Sequence, residues 1–475
     1  MHGYPDIRLL IGGQWRNAPG RPILNPSDES VIGHVPTAIL TDLDEVAAAA
    51  ARGMAAWRRT PPAARAEVML RAADLLDARL DHIAAAVSAE QGKPLPQART
   101  EVLRAAELLR WDASEAMRLY GRVVPAGPDL QQTVLREPIG VVAAFTPWNF
   151  PLGAPARKVG GALAAGCAIV LKAAEEAPAG AVMLAQAFVD AGLPAGVLNL
   201  VFGDPATIAA RLIGNPVVRA VTFAGAAAAG RHLAGLAAQA MKPAMMELGG
   251  HAPVLICADA DPEAAALACV KAKLDNAGQV CMAPTRCYVH AAVYDEFVAA
   301  LARHGQAIRV GPTTERNIDM GPVSNRRRLE ALEDLVRDAV ECGARVLCGG
   351  MRVPGPGYLF PFTVLADVPH NARAMRQEPF GPLCLAARVQ TLDEALERAN
   401  SLPDRLAGYA FTQSAATAHR IGAALDVGSL SINHFDAAMP GMPLGGVKES
   451  GYGREAGLEG VARYTHVKSI SHRLV

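Results

Sequence analysis

Between residues 141 and 240 the chain repeats one pattern: a short apolar run, a loop, then a stretch with helical spacing. The apolar runs cover 141–145, 168–171, 197–201 and 219–223, and the helical stretches cover 153–165, 178–191, 204–213 and 226–240. Alternation at this spacing predicts βαβ units, hence a parallel sheet covered by helices on both faces. A second alternation follows, with strands predicted over 254–257, 286–289 and 345–348 and helices over 262–276, 293–305 and 325–342. Ahead of both, residues 42–58, 62–90 and 95–120 read as amphipathic helices. Two α/β blocks suit a 475-residue chain, which is too long for one hydrophobic core. The last stretch, 466–475, alternates weakly and suits a strand added to another subunit's sheet.

Hydrophobic residues make up 51% of the sequence and charged ones 19%, a globular balance. Lys plus Arg (46) cancels Asp plus Glu (46), so no global field favours nucleic acid or an anionic membrane. No stretch approaches the roughly 18 uncharged apolar residues of a membrane span, and the N-terminus lacks a signal-peptide core. The expectation is a soluble, cytoplasmic protein. Eight cysteines are scattered without a CxxC pair, so neither a disulfide framework nor a metal site is expected.

One cysteine differs from the others by its setting. Cys281 lies in Asn276-Ala-Gly-Gln-Val-Cys281, between Gly278, which permits close backbone approach, and Pro284, which stops any helix. A thiolate on such a loop is a natural nucleophile for a carbonyl carbon. Asn149, in Pro147-Trp-Asn-Phe-Pro151, follows a strand's carboxyl end, where α/β sheets place ligands and where an amide NH2 can meet an oxyanion. Glu247, in Glu247-Leu-Gly-Gly250, has Met246 and Leu248 as neighbours, which raises its pKa toward that of a base useful near neutrality. Lys172 and Glu175 follow another strand, placed to hold the hydroxyls of an adenine ribose. Taken singly, each also fits an ordinary structural cysteine, turn asparagine, surface glutamate or solvated charge pair.

Taken in order, the tags Pro147-Trp-Asn-Phe-Pro151, Lys172-x-x-Glu175, Phe223-x-Gly225, Glu247-Leu-Gly-Gly250, Gly278-Gln-x-Cys281 and Glu378-Pro-Phe-Gly-Pro382 resemble the aldehyde dehydrogenase superfamily. The resemblance runs from Ile11-Gly-Gly-Gln-Trp15 to Gly445-Gly-Val-Lys-Glu-Ser-Gly-Tyr-Gly-Arg454. It implies an NAD-binding domain with a Rossmann-like parallel sheet (1–120 and 139–250), an α/β catalytic domain (251–455) and a small β oligomerisation extension (121–138 and 456–475). It also implies a homodimer or homotetramer. Cys281 would be the nucleophile, Asn149 with the backbone N–H of Cys281 the oxyanion donors, and Glu247 the base that hydrolyses the thioester. Lys172 and Glu175 would hold the adenine ribose and Glu378 the nicotinamide ribose, with Phe380 and Trp148 beside the ring. Gly225 would begin the helix facing the pyrophosphate.

This sequence also departs from the family pattern. Ala226 stands where a serine is usual, which removes one hydroxyl contact to the pyrophosphate. Glu175 would repel a 2′-phosphate, so NAD is expected over NADP. The general flavour resembles the succinate-semialdehyde dehydrogenase branch, in which two arginines clamp the substrate's far carboxylate. Arg157 matches the first, but Asp275 occupies the second. Arg157 alone could hold a carboxylate, or pair with Asp275 and leave a neutral pocket, and an acid there also suits an amino- or hydroxyl-bearing aldehyde. Phe150, His434, Phe435, Met442 and Leu444 would complete the wall and leave an aromatic or medium aliphatic aldehyde open. The rival readings are a coenzyme A-acylating enzyme, which Glu247 argues against, and a silent structural member, which the retention of Cys281, Asn149 and Glu247 argues against.

Overall fold

Strands Val141–Phe145, Ala168–Lys172, Leu198–Val201, Val218–Gly225 and Ala244–Leu248 lie parallel in one sheet. Most of their residues are buried on both faces, so their sequences are continuous apolar runs instead of alternating ones. From Val141–Phe145 the chain steps outward to Ala168–Lys172 and Leu198–Val201, then returns to lay Val218–Gly225 on the opposite side of Val141–Phe145. Strand order reverses there. Loops leaving the two carboxyl ends diverge and open a crevice, the usual ligand position in such sheets. The antiparallel hairpin Leu9–Ile11 with Gln14–Arg16 closes one edge, and Gly451–Tyr452 closes the other.

The structure is a computed structural model that describes residues 3–315 and 317–474; Val475, the last residue of the expected C-terminal strand, lies outside these. Seven strands form the second sheet, in the order Arg345–Cys348, Thr363–Ala366, Leu383–Val389, Arg286–His290, Pro253–Ile256, Ala407–Phe411, Ser429–Ile432. All pair in parallel except Arg345–Cys348. Two hydrophobic cores accompany the two sheets. One gathers residues from Ile7 to Leu248 plus Val461 and Tyr464, the other residues from Ala252 to Leu425. The crossing between them is the short link from Leu248 to Pro253, so the carboxyl ends of the first sheet face segments that enter the second.

Several boundaries differ from the sequence expectation for local reasons. The helix expected over 62–90 is two, Pro62–Ala78 and Leu80–Gln91, broken at Arg79 (φ −105°, ψ 13°). The helix expected over 262–276 stops at Leu274, because Asn276 and Ala277 take left-handed φ values of 51° and 53°. The side chain of Gln97 holds that turn, donating to the Leu274 carbonyl and accepting from the Asn276 N–H. The C-terminal strand, expected to add to another subunit's sheet, pairs within this chain with the 121–138 segment that the resemblance groups with it in the oligomerisation extension. Thr465–Arg473 runs antiparallel to Leu130–Pro138, which also pairs with Arg122–Val124. Among the described residues no helix is long and apolar enough to cross a membrane, and no group of acidic, His and Cys side chains could hold a metal.

Candidate active site

Cys281 lies on the loop between the 3-10 turn Asp275–Gly278 and the strand Arg286–His290. Gly278 sits at φ 71°, and a Cβ there would come within 2.3 Å of the Gly381 carbonyl. The glycine thus lets the Glu378–Pro382 loop lie directly against the cysteine loop. Gly250 does the same from the other side, since a Cβ would meet the Cys281 carbonyl at 2.9 Å.

Glu247 is the next-to-last residue of the strand Ala244–Leu248, and its Oε1 is 3.9 Å from the Cys281 Sγ. Burial pushes the Cys281 thiol well above its ordinary value; the carboxylates of Glu247 and Glu378 push the same way, against Arg157. The sulfur is therefore held toward the thiol form, with a carboxyl group beside it that can take its proton once ionised. Glu247 is itself raised, first by burial and then by Glu455, with Arg157 opposing. Burial works against ionisation of Glu455, but Lys158, the hydrogen bond from Glu247 and Arg157 together outweigh it and hold this carboxyl below its usual range. The two glutamates share a hydrogen bond, and the proton sits on the Glu247 side. Lys158, with no exposed surface, donates to Glu455 and, at 3.0 Å, to Thr222.

Asn149 is buried and donates from Nδ2 to the Gln279 carbonyl at 3.0 Å, which ties it to the cysteine loop. An amide nitrogen has two N–H groups, so one is left for an oxyanion. The Asn149 carbonyl is gripped by Lys93 at 3.1 Å and by Asn276 Nδ2 at 2.8 Å. Lys93 is paired in turn with Glu101 at 2.5 Å, and Glu101 accepts from the N–H groups of Leu152 and Gly153. This buried network fixes the loop after Phe145 from the helix Leu95–Ala116.

Trp148 and Phe380 meet edge to face, with ring centroids 5.6 Å apart. Glu378 beside them is pushed up to about 8 by burial, against Lys273 and Arg328, and its carboxylate lies over Gly249, where a Cβ would come within 2.6 Å. Along the crevice Lys172 pairs with Glu175 at 2.7 Å, and Glu175 accepts from the Gly203 N–H at 2.9 Å. Gly225 (φ 157°) precedes the helix Ala227–Gln239, whose N-cap, Ala226, gives no side-chain hydrogen bond. The first-turn N–H groups of that helix are thereby left for a phosphate. A carboxylate pair, a bare helix N-terminus and an aromatic pair along a switch-point crevice fit a nicotinamide dinucleotide.

The substrate-side residues divide. Phe150 packs against Lys93, whose ammonium is 4.4 Å from the ring centroid. Phe435 joins Tyr409 (4.6 Å) and Phe411 (5.3 Å), and the Tyr409 hydroxyl donates to the Met282 carbonyl next to Cys281. Arg157 does not pair with Asp275. It lies 3.7 Å from Glu247 and 3.9 Å from Glu455. Asp275 instead faces Lys93 and Arg104, and burial raises its carboxyl despite them. Leu444 is buried, and its backbone exchanges two hydrogen bonds with Glu455, which positions that acid. His434 accepts from its own neighbour Asp436, and Met442 is exposed.

Sequence reading missed Glu455, Lys158, Lys93, Glu101 and Gln279. A signal existed for two of them: Lys158 interrupts an otherwise small and apolar helix face, and Glu455 directly follows the Gly445–Arg454 tag. The others act through buried contacts that no local motif marks.

The aldehyde dehydrogenase family model matches residues 15–470. The chain is 44% identical over 475 residues to a 4-(hydroxymethyl)benzenesulfonate dehydrogenase of Comamonas testosteroni, covering 99% of this chain and 98% of that one. It is 36% identical to the NADP-dependent succinate-semialdehyde dehydrogenase of Escherichia coli, covering 97% and 96% of the two chains. The crystal structure of a succinate-semialdehyde dehydrogenase from Burkholderia pseudomallei superposes with a TM-score of 0.96 at 36% identity, covering 98% of each chain. With two α/β cores, a cysteine–glutamate pair at their junction and a dinucleotide crevice, the chain belongs to the aldehyde dehydrogenase family. It is an oxidoreductase that turns an aldehyde into a carboxylic acid.

Proposed function

We propose that Cys281 is the nucleophile, Glu247 the base and Asn149 the oxyanion donor of a non-acylating, NAD-preferring oxidation of an aromatic aldehyde. The observation that carries this reading is the thiol and carboxyl 3.9 Å apart, with the Asn149 amide tied to the same loop. Glu247 accepts the thiol proton as the sulfur attacks the carbonyl carbon. The free N–H of Asn149 and the backbone N–H of Cys281 hold the developing oxyanion, each such donor contributing about 3 kcal/mol in comparable sites. When bound, the dinucleotide supplies the hydride acceptor. Lys172 and Glu175 hold its adenine ribose, the N-terminus of Ala227–Gln239 with Gly225 its pyrophosphate, and Glu378, Phe380 and Trp148 its nicotinamide end. Loss of hydride leaves a thioester on Cys281. Glu247 passes that first proton to solvent and then takes one from water as the resulting hydroxide attacks the thioester; the thiolate departs, recovers a proton from Glu247, and the acid is released.

Glu175 supports NAD over NADP, because Lys172 and the Gly203 N–H both hold its carboxylate in place. The aromatic cluster of Tyr409, Phe411 and Phe435 beside Cys281 supports an aromatic substrate, as does the benzenesulfonate named for the 44% relative. A second reading, a short semialdehyde, draws on the 36% relatives. Comparing kcat/KM for benzaldehyde, 4-sulfobenzaldehyde, succinate semialdehyde and hexanal, with NAD and with NADP, tests both. The aromatic pair with NAD is expected to lead by at least about tenfold, and leadership by succinate semialdehyde would favour the second reading. Product analysis with and without coenzyme A tests the hydrolytic type: free acid is expected in both. We further assign the chain to the cytoplasm, where a catalytic thiol stays reduced, and to a homodimer or homotetramer. The sheet formed by Arg122–Val124, Leu130–Pro138 and Thr465–Arg473 would be its shared surface.

A further inference from the structure

Arg157 sits on the helix Gly153–Ala165, one residue before Lys158. Resemblance alone gives it to a substrate carboxylate, yet its surroundings are the enzyme's own acids. Its Nη1 lies 3.7 Å from Glu247 Oε2 and 3.9 Å from Glu455 Oε2, and Asp112 from the helix Leu95–Ala116 faces it as well. Its Nε is buried and has no hydrogen-bond partner among the described residues. The charged groups facing Glu247 come from four elements: Arg157 and Lys158 from this helix, Glu455 from the segment after Gly451–Tyr452, Cys281 from its loop, and Asp112 behind Arg157. Lys158 is committed to Glu455 and Thr222. Arg157 is thus the cation in ion-pair contact with Glu247, and Lys158 adds a weaker attraction.

We propose that Arg157 is a positioning residue for the base, not a clamp for the substrate: its guanidinium bridges Glu247 and Glu455 and keeps the Glu247 carboxylate available beside Cys281. A planar guanidinium reaches two carboxylates at once, which suits it to this task. The proposal rests on Glu247 being the base. Without Arg157 the pair of glutamates keeps only one cation, and Glu247 holds its proton to higher pH.

Rapid mixing of the holoenzyme with benzaldehyde, followed by steady-state rates from pH 5.5 to 9.5, tests this on Arg157→Met and Arg157→Lys. For Arg157→Met the burst of reduced nicotinamide is expected to keep its amplitude but to slow toward low pH, because Glu247 also takes the thiol proton, while the steady-state rate falls. The acid limb of kcat should move alkaline by about one unit or more, the shift an adjacent opposite charge produces, with KM for benzaldehyde unchanged. Arg157→Lys should restore most of the limb. An unmoved limb, with loss confined to kcat/KM for carboxylate- or sulfonate-bearing aldehydes, would overturn the proposal in favour of a clamp. If the methionine variant does not fold, Arg157→Gln against Arg157→Lys carries the same comparison. Glu247→Gln run in parallel separates the two readings. Loss of the acid limb there with an unmoved limb in the arginine variants rejects only the role of Arg157. An unchanged limb in Glu247→Gln rejects the base and the proposal together.

Discussion

Asn149 is held at three points: its side chain by Gln279, and its carbonyl by Lys93 and Asn276. A donor fixed before substrate arrives stabilises charge without reorganising, so Asn149→Ala should lower kcat by about 10²–10³, with cofactor affinity retained in a fluorescence titration. A loss below tenfold would remove it from the oxyanion site. The raised Cys281 thiol gives a pH prediction of definite sign. Below its pKa the thiolate fraction grows tenfold per pH unit, so alkylation of Cys281 by iodoacetamide in the cofactor-free enzyme should be slow at pH 7 and climb steadily through pH 9. A plateau reached by pH 7 would mean a thiolate at rest. Short motifs mark Cys281, Asn149 and Glu247 as candidates, and the fold brings the three together. Glu455 and Lys158 carry only a faint signal, since their meaning lies in a buried contact 297 residues apart in sequence.

At the scale of elements, strands buried on both faces declared themselves as unbroken apolar runs, and the expected range 141–145 matches the observed Val141–Phe145. Short edge strands such as Gln14–Arg16 did not, because half-exposed pairs carry little pattern. The stop at Leu274 was also hidden: the turn follows from the grip of Gln97, a residue on a helix far earlier in the chain. That helix, Leu95–Ala116, bears the Lys93–Glu101 network at its start, with both side chains nearly inaccessible (1% and 3%). Removing one partner leaves a buried uncompensated charge, so Lys93→Met should destabilise the fold by about 3–5 kcal/mol, read from denaturant unfolding. A change under about 1 kcal/mol would show that Glu101 is satisfied by the Leu152 and Gly153 N–H groups alone.

For the whole molecule, the division into two cores was foreseeable from length and the double alternation. The resemblance groups the C-terminal strand with its partner segment 121–138, but an alternating strand does not say which chain supplies that partner. Thr465–Arg473 completes a three-stranded sheet that exposes Val123 (71%), Val467 (60%) and Ile470 (39%). Val123 and Ile470 both pair with Thr133 and share one face, Val467 lies on the other, and exposed apolar side chains on a sheet seek cover. Light scattering at micromolar concentration should therefore give a dimer or tetramer, and Val467→Asp with Ile470→Asp should shift it toward monomer. A wild-type monomer would refute the assembly.

The account as a whole depends on an acyl group passing through Cys281 and leaving with the help of Glu247. Intact-protein mass spectrometry of Glu247→Gln, sampled during turnover with benzaldehyde and NAD, tests this most directly. The account predicts a species heavier by one benzoyl group, mapped to Cys281 and absent from Cys281→Ala. Sustained acid production by Glu247→Gln with no such adduct, or an adduct on another cysteine, would contradict it.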